Sequence, residues 1–542
     1  MDRKESIKML LGGSISLPFL KFNKSSSIEK AEQDRGQALS ESMHSNWSEW
    51  PDMPWVGPAF WGNRLQDWRL IDGNVECAVT ASNRSLYSLT HQLDRYKGDF
   101  KISVQVNLSK GLGSRNGYVG FRIGAKAKDD PCPVTFEDYR RAAIYGEGLD
   151  AGISSDGRLM IGEEKSNRSV ATNSAIHLQL KGEAVARAYR LVLTAFDTAG
   201  GKRLDRLTVQ EIPPGNVAGN IALVSHFPSE GGASGTPSAR FSDWRISGTK
   251  ISGNPDQTYG PVLFSQYTLN QGVLKVTAQL APMETISGHG ISFQIREGKS
   301  WKTLRETTVH PLARTAHFRF EKWSYDRDIP YRLRVELPLK SGTNEYFYKG
   351  TIAADPVGED RLKAAVFSCN QEHGFPDTEV VKNVAKHRPH MAMFLGDQFY
   401  ESFGGFGVER SHNLEMATLD YLRKWYQFGW SYRDIFRDIP SVFIPDDHDV
   451  FHGNIWGEGG KAADVSQGFG SESQDSGGYK MLPEWVDMVQ RTQTSHLPDP
   501  YDPTPVKQDI GVYYTDWIYG GISFAIIEDR KFKTAPANVL PV

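Results

Sequence analysis

The chain has only three cysteines in 542 residues, Cys77, Cys132 and Cys369, too few for a disulfide-stapled scaffold. It also lacks a charge excess: 62 Lys and Arg stand against 65 Asp and Glu, a formal net charge of -3. No broad basic field is therefore available to hold nucleic acid, and any recognition of phosphate must be local. Apolar runs of the roughly 20 residues needed to span a bilayer are missing too, so no transmembrane span is expected in the mature protein. Rings, by contrast, are plentiful. Aromatics make up 11% of the chain with 13 Trp, which suits β-sandwich cores and carbohydrate-stacking surfaces alike.

The mostly apolar stretch from Met9 to Leu20 follows the charged start Asp2-Arg3-Lys4-Glu5. That order predicts an export signal over residues 1–24, and a periplasmic, cell-surface or secreted protein. Arg3-Lys4 and Ile7-Lys8 are similar to the twin-arginine motif, leaving that route and ordinary secretion both open. Whether Cys77 and Cys132 pair is left open by their spacing, with the unlinked state preferred.

At roughly 100–200 residues per domain the length predicts three or four domains. Residues 25–48 are polar and read as a linker. Over 49–252, short alternating runs such as Lys101-Ile102-Ser103-Val104-Gln105-Val106 are separated by Gly, Asn and Asp, the pattern of an all-β sandwich. Over 258–356 the alternation in Leu274–Leu280 and Tyr331–Leu337 predicts a smaller, fibronectin-like sandwich of roughly seven strands. With Trp61 and Trp68 early and a last strand over Ala239–Ile246, the first of these resembles concanavalin A-like (laminin G-like) jelly-rolls. That resemblance implies a domain that binds glycan or only packs.

Over 360–542 three apolar runs each end in metal-capable side chains. Ala364–Phe367 leads to Ser368-Cys369-Asn370, Met391–Leu395 to Gly396-Asp397-Gln398-Phe399-Tyr400, and Val442–Pro445 to Asp446-Asp447-His448-Asp449. Each is read as a fully buried strand of a parallel sheet, whose ligands sit beyond the carboxyl ends of the strands. Apolar residues at helical spacing predict helices over Asp377–His387, with Asp377 as N-cap, and over Leu414–Phe428, while Ile522–Ile527 is a fourth candidate strand. Asp397 and Asp447-His448-Asp449 supply the carboxylates and imidazole of a hard di-metal hydrolase ligand set, and Asp446 is a further metal candidate. Cys369 as thiolate and Tyr400 as phenolate favour iron as one of the ions. The plainer alternatives are an inert buried Cys369, an Asp397 that caps a helix and a Tyr400 that packs. Arg530 either clamps a phosphoryl oxygen through two parallel donors or forms a salt bridge.

Phe367-Ser368-Cys369-Asn370, Leu395-Gly396-Asp397-Gln398-Phe399-Tyr400-Glu401 and Pro445-Asp446-Asp447-His448-Asp449 resemble the three motifs of the PhoD-like alkaline phosphatase and phosphodiesterase family, a branch of the calcineurin-like metallophosphoesterases. The smaller β unit is similar to that family's N-terminal sandwich, so the resemblance runs from about Pro261 onward. It implies Fe(3+) held by Cys369, Asp397 and Tyr400, with Asp447 in the place of an Asn ligand to a second ion, Ca(2+). It also implies that His448 steadies the transition state and that Asn454 is a downstream site residue. The chain departs from the family in two places. Val450–Trp456 replaces a more usual pair of Asn residues, and the last histidine-bearing motif is absent, His496 being the only histidine after His452.

The fold expected is thus multidomain, two N-terminal all-β sandwiches followed by an α/β metallophosphoesterase-like domain incomplete on its C-terminal side. The function expected is exported, metal-dependent hydrolysis of phosphate monoesters or diesters by a metal-bound hydroxide, slow in this chain by itself. The alternative is a carbohydrate-binding surface protein with a degenerate phosphatase domain.

Overall fold

Period-two alternation over Phe100–Leu108 buries Ile102, Val104 and Val106 and leaves Lys101 and Asn107 in water. In the computed structural model, which describes residues 41–109, 116–127, 138–228, 235–283, 290–410 and 413–536, strands of this kind build two antiparallel sheets of eight strands each. One runs from Arg203–Ile212 through Phe100–Leu108 to Trp68–Ile71, the other from Glu164–Lys165 through Tyr118–Ala127 to Ile251–Gly253. Glu41–His44, assigned by composition to a linker, pairs with Ala239–Gly248. Backbone groups carry that pairing, and polar composition does not reveal them. Cys77 is a free thiol in the core, pushed up to about 11 by burial; the export signal and Cys132 lie outside the described residues.

The second unit places three strands, Val262–Asn270, Val273–Leu280 and Thr315–Phe320, with a four-stranded sheet of Ser300–Thr308, Gly290–Glu297, Ile329–Leu339 and Gly342–Ile352. Phe293 ties its core together, stacked on Tyr331 at 5.2 Å and tilted against Phe318 at 5.6 Å.

In the third unit Ala364–Phe367, Met391–Leu395 and Ser441–Ile444 form a parallel sheet. Phe367, Phe394 and Phe443 are register partners, stacked at 4.5 and 4.8 Å. Phe428 and Phe436 of the helix Leu414–Phe436 close over this ladder. Two expectations are corrected. Ala364–Phe367 is not fully buried: it is the edge strand, and Val366 is 57% exposed. The candidate strand Ile522–Ile527 is present as Ile522–Ile526, paired antiparallel with Thr515–Tyr519. Asp377 holds the cap position of the helix Thr378–His387 at φ +53° and makes no side-chain cap bond, because a capping side chain needs an extended backbone there.

The helix Leu414–Phe436 runs past its predicted end and touches all three units. Trp430 stacks on Tyr259 at 4.5 Å and tilts against Trp61 at 5.2 Å. Trp425 donates to Gln279 Oε1 at 3.0 Å, and Tyr426 donates to the Leu280 carbonyl at 2.9 Å. Gly429 faces Phe264, whose ring would lie 2.0 Å from any added Cβ. From the first sandwich, the short helix Tyr139–Tyr145 reaches the same region. Arg140 donates to the Trp430 carbonyl, and Arg141 to the carbonyls of Glu372 and Phe375. Trp430→Ala should therefore cost about 3–5 kcal/mol in denaturant unfolding. A loss under about 1 kcal/mol would show that the units do not share this contact.

Candidate metal centre

The Phe ladder fixes the height at which each chain leaves the parallel sheet, so the segments beginning at Cys369, Asp397 and Asp446 emerge side by side. They touch at once. Gly396 has φ +86°, and a Cβ there would come within 2.5 Å of the Asp446 Cβ, so both backbone conformation and space call for glycine. Cys369 and Asp397 are left-handed at φ +57° and +52°, a conformation that costs a side-chain-bearing residue about 1–2 kcal/mol. Backbone bonds from Cys369 to the Gly396 carbonyl, 3.2 Å, and from Asn370 to the Asp397 carbonyl, 2.8 Å, hold it. Tyr432 of the long helix donates to Asn370 Oδ1 at 3.0 Å.

Asp449, expected among the ligand-capable acids, turns inward instead. Its fully buried carboxylate accepts the backbone N–H of Asp397 (3.0 Å), Gln398 (3.1 Å) and Asp446 (2.8 Å) and the side-chain amide of Gln493 (3.2 Å). One side chain thus clamps two strand-end loops to the helix Pro483–Thr494. The inward turn follows from the 3-10 turn His448–Val450, in which a residue two after Asp447 points away from it.

Asp397, Asp447 and His448 then converge, their ligand atoms all within 4.8 Å of one another. Cys369 Sγ lies 3.6 Å from Asp397 Oδ2. The Tyr400 ring lies 4.3 Å from that of His448, and burial together with Asp397 and Cys369 pushes the Tyr400 phenol up. His448 Nδ1 meets Glu401 Oε2 at 2.7 Å. Burial alone would lower the His448 pKa, but the Glu401 hydrogen bond and the charges of Glu401, Asp447 and Asp397 raise it to about 9. It is an imidazolium at neutral pH.

The remaining candidates fall outside this group. Asp446 pairs with Arg530, whose Nε stands 2.7 Å from Oδ1 and whose Nη2 bonds Oδ2 at 3.2 Å. Of the two roles open to Arg530, the salt bridge is the one present, to Asp446 and, at 3.8 Å, to Asp447 Oδ1. Asn454 is exposed in the turn after His452. His496 is a core residue on the Ser441 carbonyl at 2.8 Å. His452 is buried beside Lys480 and Arg410, and burial with those charges lowers it to about 3. Glu401 stood in a quoted motif but had no assigned role, and its position four residues after Asp397 was the available signal. Gln493 had none.

The donors present fit a cation. Asp397 Oδ1 is buried without a hydrogen-bond partner, and burial with the neighbouring Asp447 charge raises the Asp397 pKa. Asp446 is pushed up to about 6 by burial and Asp447, against the pull of Arg530. Crowded carboxylates with an unsatisfied oxygen are what a bound ion relieves. Two oxygen acids, a thiol and a phenol offer both hard and soft donors.

No family model and no curated protein matches the chain. Among solved structures, peanut lectin with a 9mer peptide is similar at 12% identity over 40% of this chain and 100% of the lectin, with a TM-score of 0.28. Lectin II from Ulex europaeus (10% identity, 39% and 98% covered, TM-score 0.26) and basic winged bean lectin with Tn-antigen (10%, 40% and 99%, 0.29) are further examples. Scores this low carry no functional weight.

The His448 contact has a measurable consequence in the metal-free protein. Its folded pKa lies above the free value of 6.5, so its stabilisation is complete below about pH 6.5 and is lost as pH rises through about 9. Glu401→Gln should bring the NMR titration of His448 back toward the free value and flatten that part of the stability profile. An unchanged titration would contradict the assigned pair.

Proposed function

We propose that the acidic cluster is the centre of a metal-dependent phosphate-ester hydrolase of the PhoD-like type, in an exported protein. What supports this reading is one observation: Asp397, Asp447 and His448 meet within 4.8 Å beyond the carboxyl ends of parallel strands, with Cys369 against Asp397. Cys369, Asp397 and Tyr400 are the donors for iron, and Asp447 the donor for calcium. An ion bound there supplies Lewis acidity and a water of lowered pKa.

The chain's own residues do the rest. Glu401 takes Nδ1 of His448, which leaves the proton on Nε2 free to face a phosphoryl or leaving-group oxygen. Asp447 Oδ2, 3.8 Å from that Nε2, keeps the ring charged as the ester approaches. Arg530 neutralises Asp446 at the rim and reaches Asp447 Oδ1 at 3.8 Å. The left-handed turns at Cys369 and Asp397 are set before any substrate arrives, so orientation costs little during reaction. Both phosphate monoesters and diesters suit this donor set.

With one imidazole in the cluster, turnover should be slow but strictly ion-dependent. Hydrolysis of bis(p-nitrophenyl) phosphate and p-nitrophenyl phosphate should disappear on chelation and return with added metal. Asp397→Asn should lower kcat/KM by about 100-fold or more, since even residues behind the ligands cost about 10–100-fold. His448→Ala should lower kcat by about 100-fold with KM little changed. Hydrolysis that survives chelation and both substitutions would remove this reading.

A further inference from the structure

Two donors of the acidic cluster sit where the chain leaves the parallel sheet, Cys369 ahead of the segment 370–377 and Tyr400 ahead of the turn 401–404. Neither segment is strand, so its position depends on side-chain contacts. Glu372 is where the two meet. It opens the 3-10 turn Glu372–Gly374, and Oε2 of its half-buried carboxylate accepts from the Gly404 backbone N–H at 2.8 Å and from the Tyr145 hydroxyl at 3.1 Å. One oxygen thus joins the segment after Cys369 to the segment after Tyr400. The long helix holds the second segment from its other side, Arg423 donating to the Phe403 carbonyl at 2.8 Å.

The remaining partners come from the first sandwich. Tyr145 stands 227 residues before Glu372 in the chain, on the short helix Tyr139–Tyr145. From the same helix the buried Arg141 donates through Nη1 to the Glu372 carbonyl at 3.1 Å and the Phe375 carbonyl at 3.0 Å, with its guanidinium 4.7 Å over the Tyr145 ring. Arg140 holds the far end of the segment through Thr378 Oγ1 at 2.9 Å. Burial, together with the Glu372 charge, pushes the Tyr145 phenol well above its ordinary value, so it stays a donor at neutral pH.

We propose that Glu372, Arg141 and Tyr145 are positioning residues of the acidic cluster: the first sandwich, acting through Glu372, sets the spacing between Cys369 and Tyr400. The proposal rests on the hydrolase reading only in taking those two side chains as donors to one ion. A thiol and a phenol on separate loops bind an ion less tightly when the loops move independently, because binding must then order both. Contacts behind the donors remove that cost beforehand, and here they come from another unit of the fold.

The first test uses the full chain without metal and reads amide hydrogen exchange by mass spectrometry. Glu372→Ala should speed exchange at Cys369, Asn370 and Phe403 by about fivefold to tenfold, although these amides bond to the Gly396, Asp397 and Tyr400 carbonyls and not to Glu372. Glu372→Gln, whose amide oxygen still accepts both bonds, should restore the wild-type rates. Tyr145→Phe should act as Glu372→Ala does, more weakly. Tyr118→Phe, which removes a hydroxyl bond to Asp150 elsewhere in the first sandwich, should leave these amides unchanged. The second test is competition titration with Fe(3+). Glu372→Ala should weaken iron binding about 10-fold or more and reduce the visible thiolate- and phenolate-to-iron absorption, and Glu372→Gln should recover both. Should Glu372→Ala misfold, Tyr145→Phe decides. Exchange indifferent to both substitutions, equal acceleration by Tyr118→Phe, or iron binding that is present in the wild type and unaltered in Glu372→Ala would overturn the proposal. A wild-type chain that takes no iron while the amides respond as stated would instead remove the hydrolase reading and leave the coupling of the two loops standing.

Discussion

The burial of the helix Leu414–Phe436 on every side from Ala417 to Tyr432 constrains everything around it. A helix sealed all round is usually apolar, yet this one carries Asp420, Arg423 and Lys424 at 0–1% side-chain exposure. The charges are tolerable because they satisfy one another. Asp420 accepts from Arg423 at 3.1 Å, Lys424 at 2.5 Å, the Glu409 backbone at 3.0 Å and Gln66 of the first sandwich at 3.3 Å. Burial works to raise the Asp420 pKa, and Lys424 and Arg423 hold it well below the usual range. Such a set adds little net stability over an apolar core, but losing one partner strands the others, so the helix has one acceptable seating. That seating puts Phe428 and Phe436 over the Phe ladder and Tyr432 on the loop of Cys369.

From the ladder the constraint passes to Asp449. Three backbone N–H groups and the Gln493 amide converge on one buried carboxylate, which forces the Asp397 and Asp446–Asp447 segments together although their acids repel. The fold thus spends hydrogen bonds to hold unlike the usual arrangement of a stable surface: two carboxylates close together, a charged imidazole, and a buried oxygen without a partner. Perturbed, mutually opposed groups of this kind are characteristic of sites that bind or react.

Much of this was legible in the sequence. Alternation marked the two sandwiches, and apolar runs bounded by Cys369, Asp397 and Asp447-His448 marked the strand ends, because period and punctuation are local signals. The parts that were not legible depend on tertiary contacts. Asp449 and Asp447 look equivalent in sequence, and only the backbone turn between them sends one inward and the other toward His448. Arg530 is far from Asp446 in the chain, so its salt bridge has no local signature. The burial of the charges on Leu414–Phe436 has no local signature, because Gln66 and the sandwiches that cover them come from elsewhere in the chain. Val366 reads as core, yet it lies on an edge strand and stays 57% exposed.

The central claim is that this constellation is built to hold a cation. An anomalous-difference map from crystals loaded with iron tests it most directly. The account predicts a peak within about 2–2.6 Å of a ligand atom of Asp397, shared with Cys369, Tyr400 or Asp447, and absent from crystals of Asp397→Asn. A loaded crystal with no peak at these residues, or with its peak elsewhere on the chain, would contradict it.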